Sequence, residues 1–67
     1  MASAPIKNSI RNFREQKGLT QEELAEKLGI IRTYLSKLEN QKFSPGPELM
    51  AKMCTFFGVS LGDMFYI

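Results

Sequence analysis

The sequence predicts an all-α fold, a compact bundle of five short helices, on three observations. Apolar residues recur at helical spacing in several short stretches, so each stretch can bury one stripe and leave the other side to water. Between those stretches stand glycines, and one Gly-Pro step, of the kind that stop and start helices. The two stretches on either side of Gly29 are each too short to be stable alone, since isolated helices under about 12 residues are marginal in water. They must therefore fold against one another.

Residues 1–5 read as a flexible tail. The first helix is expected from about Ile6 to Lys17, with Ile6, Ile10 and Phe13 turned toward the core and Gly18 ending it. Lys17 suits the negative end of that helix, and Arg11 and Arg14 fall on or beside its exposed side.

The second helix has the clearest start in the chain. Thr20 is a good N-cap, and Glu23 stands three residues on, where its carboxylate can reach back to the Thr20 amide as a capping box. Leu19 and Leu24 make the matching hydrophobic staple, and Leu24, Ala25 and Leu28 form one apolar stripe. Gly29 supplies the left-handed stop. A third helix, from about Arg32 to Asn40, begins almost at once and turns Leu35, Leu38 and one side of Tyr34 inward. At about 100° per residue, Arg32, Thr33, Ser36, Lys37 and Asn40 gather on the other side, a polar face without an acid. Two helices joined by a tight glycine turn, the second presenting such a face, describe a helix-turn-helix.

Gln41 to Pro45 read as a loop. Gly46 and Pro47 are an N-cap and first helical position for the fourth helix, whose core face is Leu49, Met50, Met53 and Phe57 and whose stop is Gly58. Ser60 caps a last short helix over Leu61 to Phe65, with Val59 and Met64 as its staple pair. No linker, repeat or low-complexity tract divides the chain, so residues 1–67 read as a single domain.

Composition excludes several functions. At 67 residues the core is modest, because a chain this small buries only about 60% of its unfolded surface. The formal charge of +2 is mild but sorted: Lys7, Arg11, Arg14 and Lys17 near the start and Arg32, Lys37 and Lys42 later, with acids concentrated at Glu22, Glu23 and Glu26. Such sorting suits a face that meets phosphate, and equally an ordinary solvated surface. No apolar run approaches the ~20 residues of a membrane span, and the first residues lack the apolar middle of a secretion signal, so a cytoplasmic protein is expected. The absence of histidine removes the commonest general base, and with Cys54 as the lone thiol no zinc site is expected. There is no glycine-rich phosphate loop, and Glu48 and Asp63 are isolated acids at helix starts. Neither catalysis nor a cofactor is expected. The methionines and phenylalanines in helical register read as core rather than as a ligand box.

The runs TQEELAEKLG, RTYLSKLEN and GVSLGDMF, in that order and spacing, resemble the Cro/C1-type (xenobiotic-response-element type) helix-turn-helix domains of phage repressors and bacterial regulators. The resemblance extends from about Ile6 to Phe65. It implies a lambda repressor-like bundle that binds double-stranded DNA with the third helix in the major groove. Carried over residue by residue, it gives Gln21, Asn40 and Lys42 phosphate-binding roles, which fix register without reading sequence. It gives Arg32, Thr33, Ser36 and Lys37 base-facing positions, Arg and Lys suiting guanine O6 and N7 and a Thr methyl suiting thymine. It also implies an ion pair between Arg14 and Glu39. Two positions depart from the pattern. Ile31 stands where Ser or Thr usually caps the third helix, at a cost of about 1 kcal/mol, and Gln41 stands where glycine is common.

The expected function is that of a sequence-specific transcriptional regulator, a repressor acting as a homodimer on a palindromic operator. Phe56, off the centre of its helix's core stripe, and the terminal Phe65, Tyr66 and Ile67 are the candidate dimer contacts. The alternative is a protein-interaction module, such as an antitoxin or regulatory subunit, that keeps the same fold. The polar, acid-free face of the third helix is what favours DNA over a protein partner.

Overall fold

The computed structural model describes residues 6–67. Among them the order is β1 (Lys7–Asn8), α1 (Ile10–Gln16), α2 (Gln21–Leu28), α3 (Arg32–Glu39), α4 (Pro47–Phe57), α5 (Leu61–Met64) and β2 (Phe65–Tyr66). The tail expected over residues 1–5 lies outside the described residues. No helix among those described is long and apolar enough to cross a membrane.

The local signals act as physical chemistry dictates. Thr20 Oγ1 accepts from the Glu23 amide at 3.0 Å and Glu23 Oε1 accepts from the Thr20 amide at 2.8 Å, closing the capping box of α2. Gly29, at φ +72°, carries the chain out of α2, and its amide and that of Ile30 take up two of the helix's last carbonyls. A third, Leu28 O, accepts from Lys52 Nζ at 2.9 Å, so α4 caps α2 from across the fold. The core that results is Ile10, Leu24, Ala25, Leu28, Leu35, Leu38, Met53, Met64 and Phe65. Every helix contributes to it, and α2 and α3 share the most extensive helix–helix contact.

The ends of the chain depart from the sequence expectation. The first helix begins at Ile10 rather than near Ile6, and Phe65 leaves the last helix for β2. The cause is long-range pairing that outcompetes helix formation. Lys7 stands opposite Tyr66 and Asn8 opposite Phe65 in an antiparallel ladder, and the Ser9 amide donates to Met64 O at 2.9 Å. The Ile6 amide donates to Ser44 Oγ. Asn8, buried, uses its side chain twice: Nδ2 donates to Leu38 O at 2.9 Å and Oδ1 accepts from the Ile10 amide at 3.1 Å, which starts α1. A residue so engaged cannot also sit inside a helix.

The other edge of β1 is closed by a side chain. Gln41 Oε1 accepts from the Asn8 amide and Gln41 Nε2 donates to Asn8 O, both at 3.0 Å, so its carboxamide stands in for a peptide unit of a third strand. Nε2 also reaches Glu39 O at 3.3 Å. Gln41 is the one non-glycine residue described with positive φ, at +63°, which explains why glycine suits this position and why glutamine can replace it: strain of about 1–2 kcal/mol is offset by the interlock. Gln41→Ala keeps the strain and loses the interlock, so it should lower stability by about 1–3 kcal/mol. Gln41→Gly should fall roughly 1 kcal/mol less because the strain is relieved. Urea unfolding of both variants checks the order, and an alanine variant no less stable than the glycine one refutes it.

Candidate nucleic-acid interface

The site is assembled around a buried carboxylate. Glu39, in the last turn of α3, has a side chain with 0% exposure. Its Oε2 accepts from Arg14 Nε at 2.7 Å. Its Oε1 accepts from Gln21 Nε2 at 3.0 Å, Arg14 Nη2 at 3.2 Å and Arg11 Nε at 3.4 Å. Arg14 thus grips both oxygens in a fork, and its Nη1 donates to Leu19 O at 2.7 Å, binding the residue before the α2 cap. With 11% exposure Arg14 is drawn under the domain rather than lying along the outside of α1. One side chain therefore joins α1, the start of α2 and the end of α3.

The charges adjust accordingly. Burial pushes the Glu39 carboxyl up, but hydrogen bonds from Arg14, Gln21 and Arg11 and the Arg14 charge outweigh it, leaving the group below the usual carboxylate range. The Glu39 hydrogen bond raises Arg14.

This junction holds α3 with Leu35 and Leu38 in the core and Arg32, Thr33, Lys37 and Asn40 exposed, Ser36 being half-buried beside them. The helix starts at Ile31, in extended conformation with no side-chain cap, and the Ile31 side chain is 70% exposed next to Arg32. Asn40 ends it; Asn40 Nδ2 donates to Ser36 Oγ at 3.4 Å and Asn40 Oδ1 accepts from Arg11 Nη2 at 2.9 Å. Lys37 Nζ lies 5.7 Å from the centre of the exposed Phe43 ring, a weak cation–π contact that turns the lysine toward the loop after α3. Lys42 is exposed in that loop. Gln21, Asn40 and the outer residues of α3 are thus brought to one side of the molecule, as a ligand lying along α3 would require.

Sequence reasoning left Arg11 and Phe43 without a part in this surface. Arg11 could have been found from its spacing, three residues before Arg14 and hence on the same side of α1. Phe43 had no such signal, being a lone aromatic in a loop.

The four candidate dimer residues do not form one patch. Phe65 belongs to the core, with 7% exposure. Phe56 is half-buried, edge-on to Phe57 at 5.0 Å with Lys17 Nζ 5.6 Å over its ring, so local packing accounts for it. It borders a groove with Lys27 and Lys52. Tyr66 and Ile67, together with Phe65, line a separate apolar groove with Ile6, Met50 and Leu61.

A short helix pair with a glycine turn, its second helix presenting polar side chains outward while Leu35 and Leu38 hold it from behind and Glu39 holds its end, defines a helix-turn-helix DNA-binding domain. A helix-turn-helix family model matches residues 10–64, and the chain belongs to the Cro/C1-type helix-turn-helix family of DNA-binding transcription regulators. It is 40% identical over 60 residues to an uncharacterized HTH-type transcriptional regulator of Methanocaldococcus jannaschii, covering 90% of this chain and 91% of that one. Among solved structures it resembles the clp gene regulator ClgR from Corynebacterium glutamicum, with a TM-score of 0.73 and 41% identity over 81% of this chain and 57% of that chain. It also resembles the restriction-modification controller protein C.AhdI from Aeromonas hydrophila, with a TM-score of 0.71 and 28% identity over 81% of this chain and 78% of that chain. This is not an enzyme family.

Proposed function

We propose that the chain is a transcriptional repressor that binds a palindromic operator as a homodimer, with α3 of each subunit in the major groove. The observation that carries this reading is the division of α3 into a buried side, Leu35 and Leu38, and an outer side of Arg32, Thr33, Ser36 and Lys37 with hydrogen-bonding groups and no acid. Arg32 and Lys37 suit guanine, the Thr33 methyl suits thymine, and Ser36 can bond a base edge. Gln21, Asn40 and Lys42 flank them and would hold phosphates, fixing the register in which those bases are read. A repressor needs only to occupy its site, and this surface is sufficient for occupancy.

Dimerisation is supported by the apolar groove of Ile6, Met50, Leu61, Tyr66 and Ile67, in which Leu61 is 56% and Ile67 93% exposed. Two subunits joined there would read half-sites about 34 Å apart, one turn of the duplex. Sites selected from random duplexes should be palindromic at that spacing. Sedimentation showing monomers both free and on such a site would reject the dimer.

Substitutions should then divide by role. Arg32→Ala and Lys37→Ala should each cost about 1–3 kcal/mol on the selected site and relax the choice at one base pair. Lys42→Ala and Gln21→Ala should weaken all sequences alike, and of the two only Lys42→Ala should flatten the salt dependence. The measurement is competition binding against every single-base variant of the site at fixed salt. Arg32 and Lys37 variants that keep the parent preference at every position would remove α3 as the reading element and favour a protein-interaction module.

A further inference from the structure

We propose that Arg11 is a phosphate-binding residue, placed between Gln21 and Asn40 by the buried Glu39 so that the three form one continuous clamp on the DNA backbone. The inference rests on the DNA-binding reading above. It begins with the charges at Glu39: one carboxylate faces two guanidinium groups. Arg14 takes both oxygens, its closer contact at 2.7 Å, and has 11% exposure, so it is the partner that neutralises the acid. Arg11 touches the same acid only at 3.4 Å and is 47% exposed. Its guanidinium is thus only loosely held by that acid and faces solvent.

Its position is fixed on both sides. Gln21 Nε2 and Arg11 Nε bond the same oxygen, Glu39 Oε1, at 3.0 and 3.4 Å, so their polar heads are close enough to share one phosphate. On the other side Arg11 Nη2 donates to Asn40 Oδ1 at 2.9 Å, and Asn40 in turn reaches Ser36 on the outer side of α3. Nε and one Nη2 proton are thereby used, which leaves Nη1 and the second Nη2 proton as donors for an anion. Because the Arg11–Asn40 bond also turns the Asn40 amide, its remaining N–H is oriented in the same step. A guanidinium held in place before binding loses little side-chain freedom on contact, and its planar fork matches phosphate oxygens.

The test is salt-dependent binding to a mixed-sequence DNA duplex, comparing Arg11→Gln with Lys17→Gln. The second removes the same charge from the far end of α1, where Lys17 lies over Phe56. Arg11→Gln should flatten the plot of log affinity against log salt by about 0.9 per bound subunit. Lys17→Gln should leave the slope unchanged, and Arg11→Lys should restore it even though it gives up the fork between Glu39 and Asn40. In the unsubstituted protein the Arg11 Nε–H NMR signal should shift as duplex is added, a readout that needs no variant to fold. An Arg11→Gln slope equal to the parent's, or an Arg11 signal that does not move when the protein binds duplex, overturns the proposal while leaving DNA binding intact. A parent protein that binds no duplex at low salt overturns the DNA-binding reading and this proposal with it.

Discussion

Glu39→Ala should destabilise the domain by about 3–5 kcal/mol, because it leaves the largely covered Arg14 guanidinium without its counter-charge. For 67 residues the whole folding free energy is roughly 3–10 kcal/mol, so the variant should be partly or wholly unfolded at room temperature. Arg14→Ala should cost a comparable amount by stranding the acid, which would retain only Gln21 and the longer Arg11 contact. Replacing both residues by alanine should cost less than the two single alanine changes added together, since no charge is then left without a counterpart. Urea unfolding of the single and double variants at neutral pH measures this coupling, and strictly additive losses would show that the pair contributes nothing jointly. The same contact has a pH signature. Because the folded-state pKa of Glu39 is depressed, its contribution is fully present above the unfolded carboxylate value of about 4.3 and is lost as pH falls from there through the folded value. Glu39→Gln should lack that part of the acid transition.

Leu35→Ala should cost about 2–5 kcal/mol, the loss of a fully buried side chain plus the cavity it leaves between α3 and the core. DNA affinity should fall with it, but only as the folded fraction falls. Measured at low temperature and corrected for that fraction, the variant should keep the parent's base preferences. Ser36→Ala, one residue along and about 100° around the helix, should do the reverse, changing stability by no more than about 0.5 kcal/mol while altering preference at one base pair. Thermal melts paired with competition binding separate the two. A changed base preference for Leu35→Ala at matched folded fraction would mean that the reading surface depends on fine packing beneath it.

The elements most legible in the sequence were those whose cause is local. Thr20 with Glu23, Gly29 after α2, and Pro47 with Gly58 around α4 each specify a terminus through contacts within a few residues, and all of these termini stand where the sequence placed them. The two-residue strands had no such signal. A strand of that length has no periodicity to detect, and Asn8 leaves the helical pattern only because Gln41, Leu38 and the segment around Phe65 lie far along the chain and close in space. The exposed side of α3 followed from helical spacing alone. The junction at Glu39 did not: spacing could not reveal that Arg11 and Gln21 share one carboxylate oxygen, since that depends on the angle at which three helices meet. The near-burial of Phe65 has the same kind of cause, coming from the strand pairing and not from its own helix, while the residue still lines the groove beside Tyr66 and Ile67.

The junction at Glu39 also bears on how such a domain can diversify. The fold is held at α3 from behind and from its end, through Leu35, Leu38 and the carboxylate, whereas the side chains of Arg32 and Thr33 form no hydrogen bond or ion pair among the described residues, Ser36 makes one long hydrogen bond and Lys37 a weak cation–π contact. Stability and recognition therefore draw on different atoms of one short helix. New operator preferences can be acquired by exchanging the outer residues with little loss of folding free energy, so the evolutionary path between two specificities need not cross an unfolded intermediate. The contrast between Leu35→Ala and Ser36→Ala measures how complete that separation is.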